Sequence, residues 1–222
     1  MKSIRQLLWT TLLVAPLLAV QCLAESGSVQ LRIMVTTDIH AHIMDYDYYR
    51  DRSTDRYGLV RTASLIREAR EEVANHVLVD NGDLIQGSPL GDYVADSGIP
   101  EDGIHPVYRA MNTLDYVVGN IGNHEFNYGL AFLKASIAGA DFPYVNANVL
   151  DADSGEPVFQ PYLIKTHEFR DEKGGLREVN IGYIGFVPPQ IINWDQQHLK
   201  GRVNVRDIVR SAERWVPRKN EE

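Results

Sequence analysis

The chain has 222 residues, 44% of them hydrophobic and 23% charged, a globular composition that is neither disordered nor membrane-embedded. That length gives room for one domain of ordinary size and a linker. Thirty Asp and Glu against 22 Lys and Arg leave a net charge of −8. With no basic stripe this excludes a duplex nucleic-acid partner, but not a small phosphate substrate whose charge metal ions can meet.

The first residues differ from the rest. Lys2 and Arg5 form a short positive region, Leu7 to Val20 an apolar run, and Cys22-Leu23-Ala24 a small-residue site followed by Glu25. This pattern predicts a secretory signal over residues 1–24, cleaved after Ala24. The run is short for a bilayer span of about 20 residues, so no stable membrane anchor is expected after cleavage. A lipoprotein signal would need a small residue where Gln21 stands. Cys22 is the only cysteine, so the expected mature chain, residues 25–222, cannot use disulfides even in an oxidising compartment. Loss of Lys2 and Arg5 leaves 20 basic against 30 acidic residues, a net charge of −10.

Val29 to Thr36 is β-rich and runs into Thr37-Asp38. Leu59 to Val73 has helical spacing, with Leu59, Ala63, Leu65 and Ile66 on one side and Arg61, Arg67, Glu68, Arg70 and Glu71 on the other. His76 to Val79 is a short strand leading into Asp80-Asn81-Gly82-Asp83. Gly87 to Gly103, rich in Gly, Pro and Asp, is expected to be a loop. Val107 to Leu114 reads as a helix, Tyr116 to Val118 as a strand, Gly119 to His124 as a turn, Leu130 to Ala138 as a helix and Tyr144 to Val149 as extended. Beyond Pro157, Val158 to Phe169 and Val179 to Val187 are strand-like around the turn signal Lys173-Gly174-Gly175. Val205 to Val216 is an amphipathic helix with Ile208, Val209, Ala212 and Trp215 on its apolar face. The early alternation of strand and helix predicts an α/β sheet whose functional loops lie at the carboxyl ends of its strands.

Three motifs fall at such ends: Asp38-Ile39-His40, Asn81-Gly82-Asp83 and Gly122-Asn123-His124-Glu125. Asp38 and His40 can both reach one divalent ion. Asp83, with two carboxylate oxygens, can bridge two ions. Asn123 offers a neutral oxygen and His124 an imidazole. Oxygen and imidazole donors without thiolates suit Zn, Mn, Fe or Mg. Singly, each motif has an ordinary structural explanation, since Asn, Gly and Asp are turn residues and Gly-Asn-His-Glu can be a turn with a capping residue. Their joint occurrence, in this order and each after a predicted strand, points to a site.

These motifs resemble the calcineurin-like metallophosphoesterases, in the branch that contains 5′-nucleotidases and cyclic-nucleotide phosphodiesterases. The stretches Val79 to Pro89, Gly122 to Gly129 and Ile181 to Gln190 are closer still to its periplasmic 2′,3′-cyclic-nucleotide 2′-phosphodiesterase/3′-nucleotidases, and the resemblance runs from about Leu31 to about Trp215. It implies an α/β fold, here an incomplete four-layer α/β/β/α metallophosphoesterase sandwich, and a periplasmic location. Asp38 and His40 would bind a first metal, Asp83 would bridge and Asn123 would bind the second. His124 would be catalytic, giving a proton or hydrogen bond to the phosphate or its leaving oxygen. Two ions would activate a shared water and stabilise charge on phosphorus. Asn127 would support the site from behind its ligands; His42, read from its closeness to the motifs rather than from the resemblance, is expected to support it likewise or to lie at the surface. The 5′-nucleotidases carry an Asp at the position of Asn127, so Asn127 favours the cyclic-nucleotide branch.

The family completes its site with a further histidine after a strand and with a Gly-His-x-His loop, and neither occurs in this sequence. His42, His76, His105, His167 and His198 lie in other contexts. The family's C-terminal nucleotide-binding domain has no counterpart either, and Tyr46, Tyr48 and Tyr49 read as loop packing rather than a base clamp. The sequence is therefore expected to be the N-terminal part of such a domain, holding at most one divalent ion firmly and exposing a sheet edge and apolar surface. Three readings stay open: an enzyme on small-molecule nucleotides (cyclic-nucleotide or 5′-nucleotidase-like), an inactive truncated product, and a small metal- or nucleotide-binding protein.

Overall fold

The fold is that of a computed structural model, which describes residues 27–219. The expected signal segment, Cys22 and the last three residues lie outside the described residues. No helix among the described residues is long and apolar enough to cross a membrane.

In chain order the elements are β1 (Arg32–Thr36), a small hairpin of β2 (Tyr46–Asp47) and β3 (Arg52–Ser53), α1 (Leu59–Glu71), β4 (His76–Asp80), α2 (Pro89–Ser97), α3 (Pro106–Met111) and β5 (Val118–Asn120). A 3₁₀ turn (His124–Phe126) follows, then α4 (Gly129–Ile137), β6 (Tyr144–Val145) and β7 (Val149–Asp151). The chain continues through β8 (Tyr162–Arg170), β9 (Leu176–Ile184), α5 (Ile191–Trp194), α6 (Gln196–Leu199), β10 (Val203–Val205) and α7 (Ile208–Lys219).

Strands β1, β4, β5 and β6 form a four-stranded sheet in the order β1-β4-β5-β6, parallel at every pairing. The expected α/β class is therefore observed. Helical connections return each strand to the same end of the sheet, which is what parallel pairing demands. Leu59 and Ile66 of α1, Leu78 of β4, Tyr108 and Met111 of α3 and Leu133 of α4 are buried in one core. On the other face, Ile33 and Val35 of β1 are 62% and 58% exposed. Residues Gly182 to Ile184 of β9 stand opposite Val35, Val79 and Val118 across a cleft of about 350 Å³. No second sheet of more than two strands forms among the described residues; β8 pairs with β9, and β7 with β10, as antiparallel ribbons.

Two expectations need correction. The segment Gly87 to Gly103 contains a helix, α2. Pro89 and Gly98 stand at its ends: Ser88 Oγ accepts from Gly91 N–H, Pro89 occupies the first turn and Gly98 ends the helix with φ 89°, the positions where these residues favour a helix. In α7, Trp215 is buried as its apolar spacing suggested, but Ser211 is buried beside it while Ile208 and Val209 are exposed, so the face that docks is partly turned from the expected one. The pairing of β7 with β10 joins Val149 to Val205 and Asp151 to Val203, and such short strands carry no periodicity that a sequence shows.

Helix α3 begins on a histidine. His105 is fully buried, its Nδ1 accepts from Val107 N–H at 3.2 Å, and burial pushes its pKa down to about 4. A histidine whose folded pKa lies below the unfolded 6.5 stabilises the fold fully above pH 6.5 and loses that contribution as pH falls through about 4. The shift corresponds to roughly 3 kcal/mol. Urea unfolding of the wild type against His105→Asn, which keeps a capping acceptor, is expected to show the wild type losing stability relative to the variant over that pH window. Parallel pH profiles would contradict the assignment.

Candidate functional site

All three motifs lie on loops leaving the carboxyl ends of neighbouring strands: Asp38 and His40 after β1, Asp83 after β4, and Asn123 and His124 after β5. The first two loops are zipped by backbone hydrogen bonds. Asp38 N–H donates to Gly82 O at 3.0 Å, His40 N–H to Asp83 O at 3.0 Å and Ala41 N–H to Leu84 O at 2.6 Å. To present these groups the backbone takes left-handed conformations at Asp38 (φ 55°), His40 (φ 50°), Ala41 (φ 54°) and Asp83 (φ 58°). Non-glycine residues in this region carry strain of order 1–3 kcal/mol each, which surrounding structure must hold in place.

Glu125 does much of that holding. It is fully buried, and its carboxylate accepts from Asp83 N–H (2.8 Å), Leu84 N–H (2.5 Å), Ile85 N–H (3.4 Å) and Gly122 N–H (2.7 Å). Burial pushes its pKa up, and the bonds from Leu84, Asp83 and Gly122 pull it back. Close approach leaves no room for side chains: a Cβ at Gly82 would lie 2.4 Å from Gly122 N, and one at Gly122 2.4 Å from Asp83 Oδ1. Behind them, Asp80 is buried and its pKa is raised by that burial to about 7. It accepts from Thr36 Oγ1 at 2.6 Å and Gly82 N–H at 3.0 Å.

Asp38 Oδ1 lies 3.7 Å from His40 Nε2, and Thr37 Oγ1 donates to Asp38 Oδ2 at 2.6 Å. The His40 ring is set by Gln86, whose carbonyl lies 2.6 Å from Nδ1. That bond makes Nδ1 the donor and leaves Nε2 with its lone pair, the arrangement of a metal-ligating imidazole. Gly87 is required here, because a Cβ would come within 2.5 Å of His40 Nδ1 and its φ is 119°. Asp83 Oδ1 accepts from His124 N–H at 2.9 Å. The His40 and His124 rings meet edge to face with centroids 5.0 Å apart. His124 Nδ1 lies 2.7 Å from Asn127 Oδ1.

A cleft of about 210 Å³ is lined by Asp38, Asp83 and Asn123 together with Asn81, Asn120 and Phe186. Asn120 Nδ2 donates to Phe186 O at 3.0 Å, tying the segment after β9 to the cleft wall. The donors fit a divalent ion in kind: two carboxylates and an amide oxygen in one cleft, and an imidazole whose free Nε2 lies beside Asp38. They do not close a cage, since among the described residues no three His, Cys, Asp or Glu side chains converge to hold a metal. His42 packs its ring on Tyr57 at 4.2 Å, and its pKa is lowered by burial and then by His40.

The other histidines lie elsewhere. His76 starts β4 at the far end from the cleft, His105 caps α3, His167 stacks on Phe169 and His198 sits in α6 beside Gly129. Tyr46 and Tyr48 pack edge to face at 5.2 Å while Tyr49 is 78% exposed. Two residues that shape the site have roles that the sequence did not show. Glu125 is visible as the end of a motif, but its fourfold acceptance is not, and Asp195, which contacts Asn127, lies outside every motif.

Comparison with known proteins establishes the family. A model of the calcineurin-like phosphoesterase family matches residues 31–221, and the chain belongs to that family. It is 60% identical over 194 residues to the 2′,3′-cyclic-nucleotide 2′-phosphodiesterase/3′-nucleotidase of Yersinia enterocolitica, a match covering 87% of this chain and 30% of that protein. The protein of the same name from Haemophilus influenzae is 52% identical, over 86% of this chain and 29% of that one. The crystal structure of the calcineurin-like phosphoesterase YfkN from Bacillus subtilis superposes with a TM-score of 0.84 at 52% identity, covering 87% of this chain and 59% of that one. The chain thus spans about 30% of the length of the curated relatives it matches.

The Glu125 network has a measurable consequence. Glu125→Ala would leave four N–H groups, three of them buried, without this acceptor and is expected to cost on the order of 3–5 kcal/mol in urea unfolding. Glu125→Gln, which keeps one acceptor oxygen, should cost less. A Glu125→Ala chain as stable as wild type would show that the loops are held by something else.

Proposed function

We propose that this chain carries part of a metal-dependent phosphoesterase site acting on 2′,3′-cyclic nucleotides and 3′-nucleotides. The observation that carries the reading is the meeting of Asp38, Asp83 and Asn123 in one cleft, with the His124 ring against the His40 ring at its edge. Asp38, His40, Asp83 and Asn123 would hold the metal, with at most one ion held firmly. Divalent ions bound there supply Lewis-acid charge and lower the pKa of water. The chain's own groups do the rest. Asp38 and Asp83 set the negative potential that draws cations in, Asn123 adds a neutral oxygen, and His124, tethered at Nδ1, presents Nε2 to the phosphate or its leaving oxygen. The names of the Yersinia and Haemophilus relatives and the Asn at 127 support the cyclic-nucleotide substrate class over a 5′-nucleotidase-like one. The amino-terminal pattern of Lys2, Arg5 and the apolar run supports export to the periplasm.

A second reading has one observation in its favour. Among the described residues the strong ligands do not converge in threes, which supports a truncated, catalytically inactive fragment of such an enzyme.

Metal content and hydrolysis of a bis-aryl phosphate ester by the purified chain test the proposal. The expected outcome is at most one tightly held divalent ion per chain, lost in Asp83→Asn. His124→Ala should retain the metal while losing about 10²–10⁴-fold of whatever hydrolysis is seen. Two tightly held ions with ordinary turnover would overturn the limit of one. No metal affinity at all would overturn the site.

A further inference from the structure

The bond from His124 to Asn127 is the first link of a longer relay. Asn127 Oδ1 lies 2.7 Å from His124 Nδ1, and Asn127 Nδ2 donates to Asp195 Oδ1 at 2.8 Å. Asp195 sits between α5 and α6 and is only 5% exposed. Its backbone is pinned on both sides: its N–H donates to Ile191 O at 2.8 Å, and its carbonyl accepts from His198 N–H at 2.9 Å and Leu199 N–H at 3.0 Å. No Lys or Arg pairs with it among the described residues. A buried carboxylate is costly unless hydrogen-bonded, and here Asn127 provides the bond.

We propose that Asp195 is a positioning residue for His124, acting through the Asn127 amide to fix which ring nitrogen carries the proton. An ionised carboxylate only accepts hydrogen bonds. Asp195 therefore selects the Asn127 orientation in which Nδ2 faces it, and Oδ1 must then face the histidine. An amide oxygen also only accepts, so His124 Nδ1 carries a hydrogen in the neutral ring and in the imidazolium alike, and Nε2 is the nitrogen that takes up the second proton and can give it to the phosphate or its leaving oxygen. One carboxylate thus settles two choices that neither Asn127 nor His124 settles alone, the amide orientation and the tautomer. With Asn at position 127 the negative charge is still in the relay, but one amide group further from the ring. The role of Nε2 toward phosphate rests on the proposed function; the relay itself does not.

The test reads the tautomer directly, in the full metal-free chain labelled with ¹⁵N-histidine, at a pH where the ring is neutral. Long-range ¹H–¹⁵N correlations should show His124 with a protonated, pyrrole-type Nδ1 and a pyridine-type Nε2. Asp195→Asn keeps the shape but can donate as well as accept, so Asn127 is released to either orientation. The preference for the Nδ1–H tautomer should then fall by about tenfold, equivalent to about 1.4 kcal/mol. Asn127→Ala should produce the same loss, and combining the two changes should add nothing. A folded Asp195→Asn chain with the wild-type tautomer ratio overturns the proposal. So does a wild-type ring found in the Nε2–H form, which requires no variant to fold. Neither metal nor substrate is present, so a chain that hydrolyses no phosphoester can still show the relay. Conversely, an active chain with His124 in the Nε2–H form would sink the relay and leave the proposed function standing.

Discussion

The site depends on one buried carboxylate. Glu125 gathers four backbone N–H groups from the loop after β4 and the loop after β5, and the loop after β1 is in turn zipped onto the loop after β4. Charge-assisted bonds to backbone N–H are shorter and stronger than neutral ones. In a low-dielectric interior each donor is also costly to leave unpaired. This network supplies a physical reason why left-handed strain at Asp38, His40, Ala41 and Asp83 can persist. The loops are over-determined at their base, so their tips can display carboxylates and an imidazole in conformations that free loops would avoid.

Around that anchor the side chains are set in layers. His40 is oriented by a backbone carbonyl, His124 by an amide, and Asp38 by a neighbouring hydroxyl. Each of these supports removes a rotational or tautomeric freedom that a reaction would otherwise have to overcome. The cleft itself remains open, walled on one side by the segment that follows β9 and held there by Asn120. The family's motifs thus meet at these loops although, among the described residues, no three His, Cys, Asp or Glu side chains converge to hold a metal.

Much of the architecture was legible in the residues. Leu59 to Glu71 and Gly129 to Ile137 are helices because their apolar positions recur at helical spacing, and β1 and β4 are strands because β-branched runs end at Asp-bearing turns. The reading failed where local rules are positional. Pro89 and Gly98 looked like loop residues until Ser88 was seen to cap a helix between them. Likewise Ile208 and Val209 looked buried beside Trp215 until Ser211 was found facing the fold in their place.

The sequence by itself determined the family and marked the candidate site residues. Asp38, His40, Asp83, Asn123 and His124 are contiguous with strand ends, and the ligand chemistry of a side chain is a property of its type. It also determined, through Asn127, that the group beside His124 is neutral. Only the tertiary structure decided how these groups are supported. Glu125 reaches the loop after β4 from 40 to 42 residues away, and Asp195 reaches Asn127 from 68 residues away. Such contacts depend on where the sheet brings separate loops together, and no local spacing encodes that.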